Sequence, residues 1–130
     1  MFIDAVVIKG QGRSFSCSIE YNENADIFKP FDLTDYNIRF RVMGAPTADA
    51  QVIVEHLITQ VSDIDMDGQI TNAENGEFCF TITKEDTQKL GLGNKPIMVD
   101  ILDIETNDVV YTLTEGNVRN EFSRIQVVQV

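Results

Sequence analysis

Residues 63–74, DIDMDGQITNAE, carry the spacing of acidic residues and glycine that binds calcium in an EF-hand loop. Gly68 stands at loop position 6, where an EF-hand loop turns sharply. The last residue of the pattern stands at position 12, where one carboxylate binds the ion through both oxygens. The pattern predicts a Ca²⁺ site whose ligands are Asp63, Asp65, Asp67, the Gln69 carbonyl and Glu74.

The segments on either side of this loop do not predict the two helices of an EF-hand. Glu74 is followed at once by Asn75-Gly76, a strong turn signal, and then by a strand with period-two alternation. The residues before Asp63 show no apolar stripe of helical spacing. Two interpretations are left: a strand-to-strand loop that still wraps Ca²⁺, or a hairpin tip rich in Asp and Gly. The second is favoured, because nothing after the loop presents Glu74 to the other ligands.

The cysteines and the histidine do not predict a catalytic centre. Cys17 shares a strand face with apolar residues, whereas Cys79 lies on the face opposite to Phe78 and Phe80, so we expect two reduced thiols rather than a disulfide. His56 is the one histidine, and a lone histidine on a strand is usually structural. No carboxylate pair stands out, and the three tyrosines are scattered along the chain. We expect a protein that is not an enzyme and holds no cofactor other than the Ca²⁺ weighed above.

Charge and composition narrow the classes of partner. The chain has 130 residues, enough for one domain over residues 1–130, with 10 basic and 21 acidic residues and a net charge of −11. Such a surface repels phosphate, so nucleic acid is not an expected partner. No apolar run is long enough to span a membrane, and the first residues lack a secretory signal. We expect a chain that is made and kept in a cytoplasm or assembled there into something larger.

Period-two alternation dominates the sequence and predicts an all-β fold. Alternating stretches include SFSCSIEY, YNIRFRVM and GEFCFTIT, and QVIVEHLITQV is rich in β-branched residues. A short helix is predicted near residues 84–90, with Thr83 as its cap and Gly91 at its end. About seven to eight strands with one short helix predict an immunoglobulin-like antiparallel β-sandwich.

Several of these stretches, taken in order, resemble a known family. The chain is similar to the immunoglobulin-like domain near the N-terminus of phage baseplate upper proteins and to related phage tail and virion proteins. The similarity covers roughly residues 10–118 and rests on the order of short motifs. These are Asp32-Leu33-Thr34 before an Arg-alternating strand, residues 76–83, residues 83–90, Val99-Asp100-Ile101 and Gly116-Asn117-Val118. The chain departs from the family pattern at residues 93–96 and at Ser123-Arg124.

The resemblance implies a bacteriophage virion structural protein. Such domains usually head a longer protein, whereas this sequence ends at Val130, so the attachment role is implied rather than receptor binding. We expect a docking module of a phage tail or baseplate. A position in the neck or as a head decoration is the second choice. The partners of the module are other virion proteins in a homo-oligomer or ring. The apolar ends, FIDAVVI and RIQVVQV, are the candidate contact strands, and two ordinary core strands are an equally weighted alternative. If the ends make the contacts, trimming residues 124–130 is predicted to abolish assembly and leave a folded monomer. The alternative is a calcium-dependent module in which loop 63–74 orders a glycan- or protein-binding surface.

Overall fold

A computed structural model describes residues 4–24, 27–45, 49–60, 68–112 and 123–129. Side chains in 4–5, 22–24, 27–28 and 123–125 lie outside what it describes. The strands are β1 Asp4–Ile8, β2 Arg13–Ser18, β3 Glu20–Asn24, β4 Ile27–Pro30, β5 Tyr36–Met43, β6 Val52–Ile58, β7 Gly68–Asn72, β8 Glu77–Ile82, β9 Gly93–Asp103, β10 Val109–Thr112 and β11 Ser123–Val128. The one helix of these ranges, α1, spans Lys84–Leu90. No helix among them is long and apolar enough to cross a membrane.

The larger sheet has the strand order β1-β11-β9-β5-β6, and β10 also pairs with β9. Within it β1 runs parallel to β11, and the other pairs are antiparallel. β9 is 11 residues long, so it pairs with β11 through its first half and with β10 through its last residues. β5 lies along its other side, from Tyr36 opposite Asp103 to Val42 opposite Ile97.

The smaller sheet has the order β2-β8-β7, and β3 and β4 form a separate two-stranded hairpin. The predicted all-β fold is confirmed, but the described residues form more strands than the seven to eight expected. The β3–β4 hairpin accounts for part of the difference. β7 adds another strand, because Gly68–Asn72 falls inside the segment that matched the calcium loop.

A stack of phenylalanine rings between the two sheets forms the centre of the core. Phe40 of β5 stacks on Phe80 of β8 with ring centroids 4.4 Å apart, and Phe80 also stacks on Phe15 of β2 at 5.2 Å. Phe40 and Phe80 are each at most 1 % exposed. Because strand residues two apart lie on one face, the period-two alternation places Ile38 and Val42 beside Phe40 in this core.

The short helix begins and ends where the sequence predicted. The Thr83 hydroxyl accepts a hydrogen bond from the Asp86 N–H at 3.1 Å, and the Asp86 carboxylate accepts one from the Thr83 N–H at 2.9 Å. This reciprocal capping box satisfies two donors that a helix start leaves unpaired. The helix ends at Gly91, whose φ of 68° is a conformation that glycine adopts without steric cost. The helix and its two bounding residues therefore follow the sequence.

The arrangement of the two sheets is immunoglobulin-like. Sheet β2-β8-β7 faces sheet β1-β11-β9-β5-β6, and chain connections pass from one sheet to the other. Immunoglobulin domains commonly centre their core on a buried tryptophan and an inter-sheet disulfide. Here the chain has no tryptophan, and the phenylalanine stack occupies the space between the sheets.

Candidate docking surface

The three tyrosines, scattered in the sequence, meet at one end of the sandwich. Their rings surround Phe31: Tyr36 has its ring centroid 5.6 Å away, Tyr111 5.7 Å and Tyr21 6.5 Å. We call these four residues the aromatic cluster. Tyr21 and Tyr111 are 39 % and 46 % exposed, so much of their aromatic surface faces solvent. The sequence did not predict this cluster, because its members come from β3, the β4–β5 connection, β5 and β10.

A backbone network holds Phe31 at this end. The Phe31 N–H donates to the Ile19 carbonyl at 2.9 Å, and the Leu33 N–H donates to the Ala73 carbonyl at 2.7 Å. Gly76 in the β7–β8 turn has a φ of +67°, and a Cβ there would lie 2.6 Å from the Ile19 and Phe31 carbonyl oxygens. Only glycine lets the turn approach this closely without displacing the segment that carries Phe31.

The Asp32-Leu33-Thr34 motif forms the turn that leads into β5. The Asp32 carboxylate accepts hydrogen bonds from the Thr34 hydroxyl and the Thr34 N–H, and these bonds, the hydroxyl first, lower the pKa of Asp32. Leu33 is fully buried between them, and the Gln60 side chain donates to its carbonyl at 2.6 Å. This turn therefore connects Leu33 in the core to the aromatic cluster, whose Phe31 directly precedes Asp32.

β10 continues the exposed apolar surface from Tyr111. Val109 is 47 % exposed and Val110 is 42 % exposed, and in the part of the chain that the structure describes β10 pairs with β9 alone. Its pairing shifts register between Val109 and Tyr111. A strand edge with solvent-facing valines and a tyrosine is a surface that another protein chain can cover.

Acidic residues are concentrated at the end of the sandwich that carries the aromatic cluster. Eight acidic side chains lie on the segments that meet at this end, and Lys29 is the one basic side chain described there. We call the eight the acidic rim: Glu20, Asp32, Asp35, Glu74, Glu77, Asp103, Glu105 and Asp108. All are exposed except Asp103, which is half-buried. The Ile104 N–H donates to the Asp35 carbonyl at 3.1 Å, which ties the β9–β10 turn to the start of β5.

The predicted calcium loop is described only in part. Asp63, Asp65 and Asp67 lie outside the described residues. Gln69 is the second residue of β7, and Glu74 is exposed in the turn after that strand. At about 3.3 Å per residue, β7 carries Asn72 roughly 10 Å beyond Gln69 before that turn begins. The described flanks, β6 before the loop and β7 within it, are strands, so the rejection of a helix–loop–helix hand is confirmed. The Ca²⁺ site itself stays a prediction.

Thermal unfolding tests the calcium site directly. If residues 63–74 bind Ca²⁺, an ion concentration of about 100 times Kd will add about 2.7 kcal/mol to the free energy of unfolding and raise Tm by several degrees. The measurement compares melting in millimolar Ca²⁺ with melting in excess chelator. An Asp65→Asn, Asp67→Asn variant is the control and will show no such difference. Equal melting midpoints for the unmodified chain in both buffers would show that residues 63–74 do not bind Ca²⁺.

Both cysteines are free thiols, as predicted. Cys17 of β2 lies opposite Phe78 and packs against the core, whereas Cys79 of β8 lies opposite Ser16. Burial raises the pKa of the Cys17 thiol to about 11, and the neighbouring Cys79 adds to the rise. The thiol, which is neutral, is therefore the form of Cys17 that the fold favours.

Alkylation of Cys17 will be slow at neutral pH. Only the thiolate reacts, so a pKa moved from 9.0 to about 11 lowers the thiolate population at pH 8 about 100-fold. In the unmodified chain, with peptide mapping to separate Cys17 from Cys79, we expect iodoacetamide to modify Cys17 at least about 100-fold more slowly than a free thiol of ordinary pKa. The rate will rise about tenfold per pH unit and level off only near pH 11. A rate that levels off near pH 9 would contradict this expectation.

His56 is buried between β6 and α1. It lies on the core-facing side of β6, 6 % exposed, with its Nε2 2.7 Å from the Asp86 carboxylate. The same carboxylate closes the capping box of α1. The pair therefore fastens α1 to β6.

A buried carboxylate joins two of the motif stretches on the outer face of the larger sheet. Asp100 of β9 is 1 % exposed and accepts hydrogen bonds from Arg39 Nε at 3.0 Å and from the terminal nitrogens of Arg39 and Arg41 at 2.7 Å each. The Thr112 hydroxyl donates to its other oxygen at 2.7 Å. The alternation of β5 placed the arginines on one face, but the sequence did not show that Asp100 would meet them.

The predicted contact strands at the two ends of the chain have different positions. In the sheet that the described residues form, β1 is an edge strand, so the first stretch remains a candidate for contacts. β11 pairs with β1 on one side and β9 on the other, and its Val127 is buried in the core. The prediction that residues 124–130 form a docking edge is therefore wrong. Trimming them would remove an interior strand that pairs with β1 and β9, so the structure argues against a folded trimmed monomer.

Comparison with known proteins supports the fold alone. No protein-family model matches the sequence, and no curated protein matches it. The chain is similar to the N-terminal domain of phage TP901-1 ORF48, with a TM-score of 0.50 and 10 % identity over 99 % of this chain and 84 % of that one. NK cell receptor Nkp44 gives a TM-score of 0.45 with 14 % identity over 98 % of both chains. The ZIG-8–RIG-5 IG1–IG1 heterodimer gives 0.41 with 11 % identity over 98 % of this chain and 83 % of that one.

Proposed function

We propose that this chain is a bacteriophage virion structural protein that acts as a protein–protein docking module, most directly in a tail or baseplate. The observation that carries the proposal is the exposed apolar edge of β10 beside the aromatic cluster. The similarity in fold to a phage protein domain and the order of the sequence motifs support the phage setting. A position in the neck or as a head decoration is the second choice.

Docking uses the edge of β10 in two ways. Its main-chain groups on the side away from β9 can pair with a strand from a neighbouring protein, and such main-chain hydrogen bonds supply affinity. Val110 and Tyr111 then add apolar area and an aromatic ring to the contact. Aromatic residues of this kind are enriched at the energetic centres of protein interfaces.

Incorporation into particles tests the proposal. Quantitative mass spectrometry of purified virions should detect the chain at a fixed copy number relative to other virion proteins. A Val110→Lys substitution places a charge on the β10 edge and is expected to lower incorporation at least about tenfold, at unchanged thermal stability. Leu57→Lys is the matched control, because Leu57 is 42 % exposed on β6 at the opposite edge of the same sheet.

The outcomes of this experiment are distinct. Normal incorporation of the Leu57→Lys chain with loss of the Val110→Lys chain supports docking through β10. Absence of the unmodified chain from purified particles would refute the virion assignment. Equal incorporation of both variants would refute the role of β10 in docking.

A further inference from the structure

The end of the sandwich opposite the aromatic cluster is basic. The Gly10 N–H donates to the Thr87 hydroxyl at 2.9 Å, so the β1–β2 turn lies against α1. Five cationic side chains lie on this turn, on α1 and at the starts of β2 and β9. We call them the basic end: Lys9, Arg13, Lys84, Lys89 and Lys95. On the same segments only Glu85 is an exposed acid, since Asp86 is buried against His56. Asp49, in the β5–β6 loop, adds one more exposed acid at this end.

The two ends are well separated. β9 runs from Gly93 at the basic end to Asp103 in the acidic rim. Its 11 residues span roughly 35 Å at about 3.3 Å each. The acidic and basic side chains of one chain are too far apart to interact with each other, because the separation exceeds the Debye length of about 8 Å at physiological salt.

We propose that copies of this chain associate head to tail, with the aromatic cluster and acidic rim of one copy docked on the basic end of the next. Charge complementarity identifies the occupant, since the cations that fit the acidic rim are present on the chain itself. The net charge of −11 opposes association at long range, but at about 0.15 M salt only groups within about 8 Å interact strongly, so the local match governs contact.

Both surfaces also offer apolar area to this contact. Leu92, between α1 and β9, is 50 % exposed, and on the other surface Tyr111 is 46 % exposed. A lysine ammonium over an exposed tyrosine ring adds a cation–π attraction to the ion pairs. The interface therefore combines a small apolar centre with charged surroundings, as protein interfaces commonly do.

Such a contact uses two different patches of the chain, so it is heterologous. Repetition of a heterologous contact gives a closed ring if the rotation between copies closes and an open filament if it does not. The association itself is a property of the purified chain. Only its biological meaning rests on the proposed docking role.

Sedimentation equilibrium and light scattering of the purified chain test the proposal. At about 0.15 M salt and increasing protein concentration, we expect the weight-average mass to rise from the monomer mass of 14.6 kDa to at least about twice that value. At about 1 M salt, where the Debye length is about 3 Å, the mass will fall back towards 14.6 kDa. A Glu105→Lys, Asp108→Lys variant and a Lys84→Glu, Lys89→Glu variant will each remain monomeric.

Mixing the two variants is the decisive measurement. The first keeps the basic end and the second keeps the acidic rim, so an equimolar mixture can form one head-to-tail contact and no more. We expect two-subunit particles, and none larger. Each double reversal changes the net charge by four from −11, so both variants stay acidic and general attraction between opposite net charges cannot explain pairing.

Three results would overturn the inference. These are a chain of 14.6 kDa at every protein and salt concentration, variants that associate as the unmodified chain does, or a mixture that stays monomeric. None of these bears on incorporation into virions, which the β10 variants test separately.

Discussion

Asp100→Ala will lower the free energy of unfolding by about 3–5 kcal/mol, which is what removal of one partner from a buried ion pair costs. The Asp100 carboxylate is buried and receives hydrogen bonds from Arg39, Arg41 and Thr112. Arg41 Nε is buried and has no hydrogen-bond partner among the residues that the structure describes, so loss of the carboxylate would leave that guanidinium with less compensation still. Urea unfolding with an unchanged slope measures the loss.

Two further substitutions separate the network from a general effect of the mutation. Asp100→Asn keeps the size and one oxygen acceptor but removes the charge, so we expect a smaller loss, of about 2 kcal/mol. Asp108→Asn, on the exposed β9–β10 turn, will change stability by less than about 0.5 kcal/mol. An Asp100→Ala chain as stable as the Asp108→Asn chain would show that the buried network contributes nothing.

Gly68→Ala will destabilise the fold by about 3 kcal/mol, at the upper end of the cost of overpacking a well-packed site. A Cβ at this position would overlap the Cys79 carbonyl oxygen and lie 3.0 Å from the Ile58 side chain and from the Phe80 Cα. The carbonyl belongs to β8, which pairs with β7, so it cannot withdraw without disturbing the sheet. The glycine that stands at loop position 6 of the calcium pattern therefore has a packing reason in the sandwich.

The matched control is Gly44→Ala, because a Cβ there meets only ordinary contacts, the nearest at 3.7 Å from the Gln51 carbonyl oxygen. We expect its stability to stay within about 0.5 kcal/mol of the unmodified chain. Unfolding of both variants is measured in Ca²⁺ and in chelator. A loss for Gly68→Ala that appears only in Ca²⁺ would assign this glycine to metal binding rather than to packing.

Short-range signals explain what could be predicted of the fold. The alternation of YNIRFRVM identifies β5 and its buried face, since side-chain direction in a strand repeats every two residues. The Thr83–Asp86 capping box and Gly91 bound α1, because each acts within one turn of helix. The opposite facing of Cys17 and Cys79 follows from the same alternation and indicated free thiols.

The candidate docking surface was not predictable in this way. Tyr21, Tyr36 and Tyr111 reach Phe31 only because three separate segments fold to one end of the sandwich. The interior position of β11 likewise depends on a parallel pairing with β1, more than 100 residues away in the chain. Apolar sequence alone does not distinguish an interior strand from an edge strand, because both are rich in β-branched residues.

The sequence by itself determined the all-β class, the strand faces, the bounded helix and the strongly acidic net charge, because each of these depends on neighbouring residues or on a sum over the chain. Only the tertiary structure decided which side chains meet, as Asp100 meets Arg39 and Arg41. It also decided where charge collects, with acids around the aromatic cluster and cations at the opposite end. Those outcomes depend on strand order and register, which are set by packing between residues far apart in the chain.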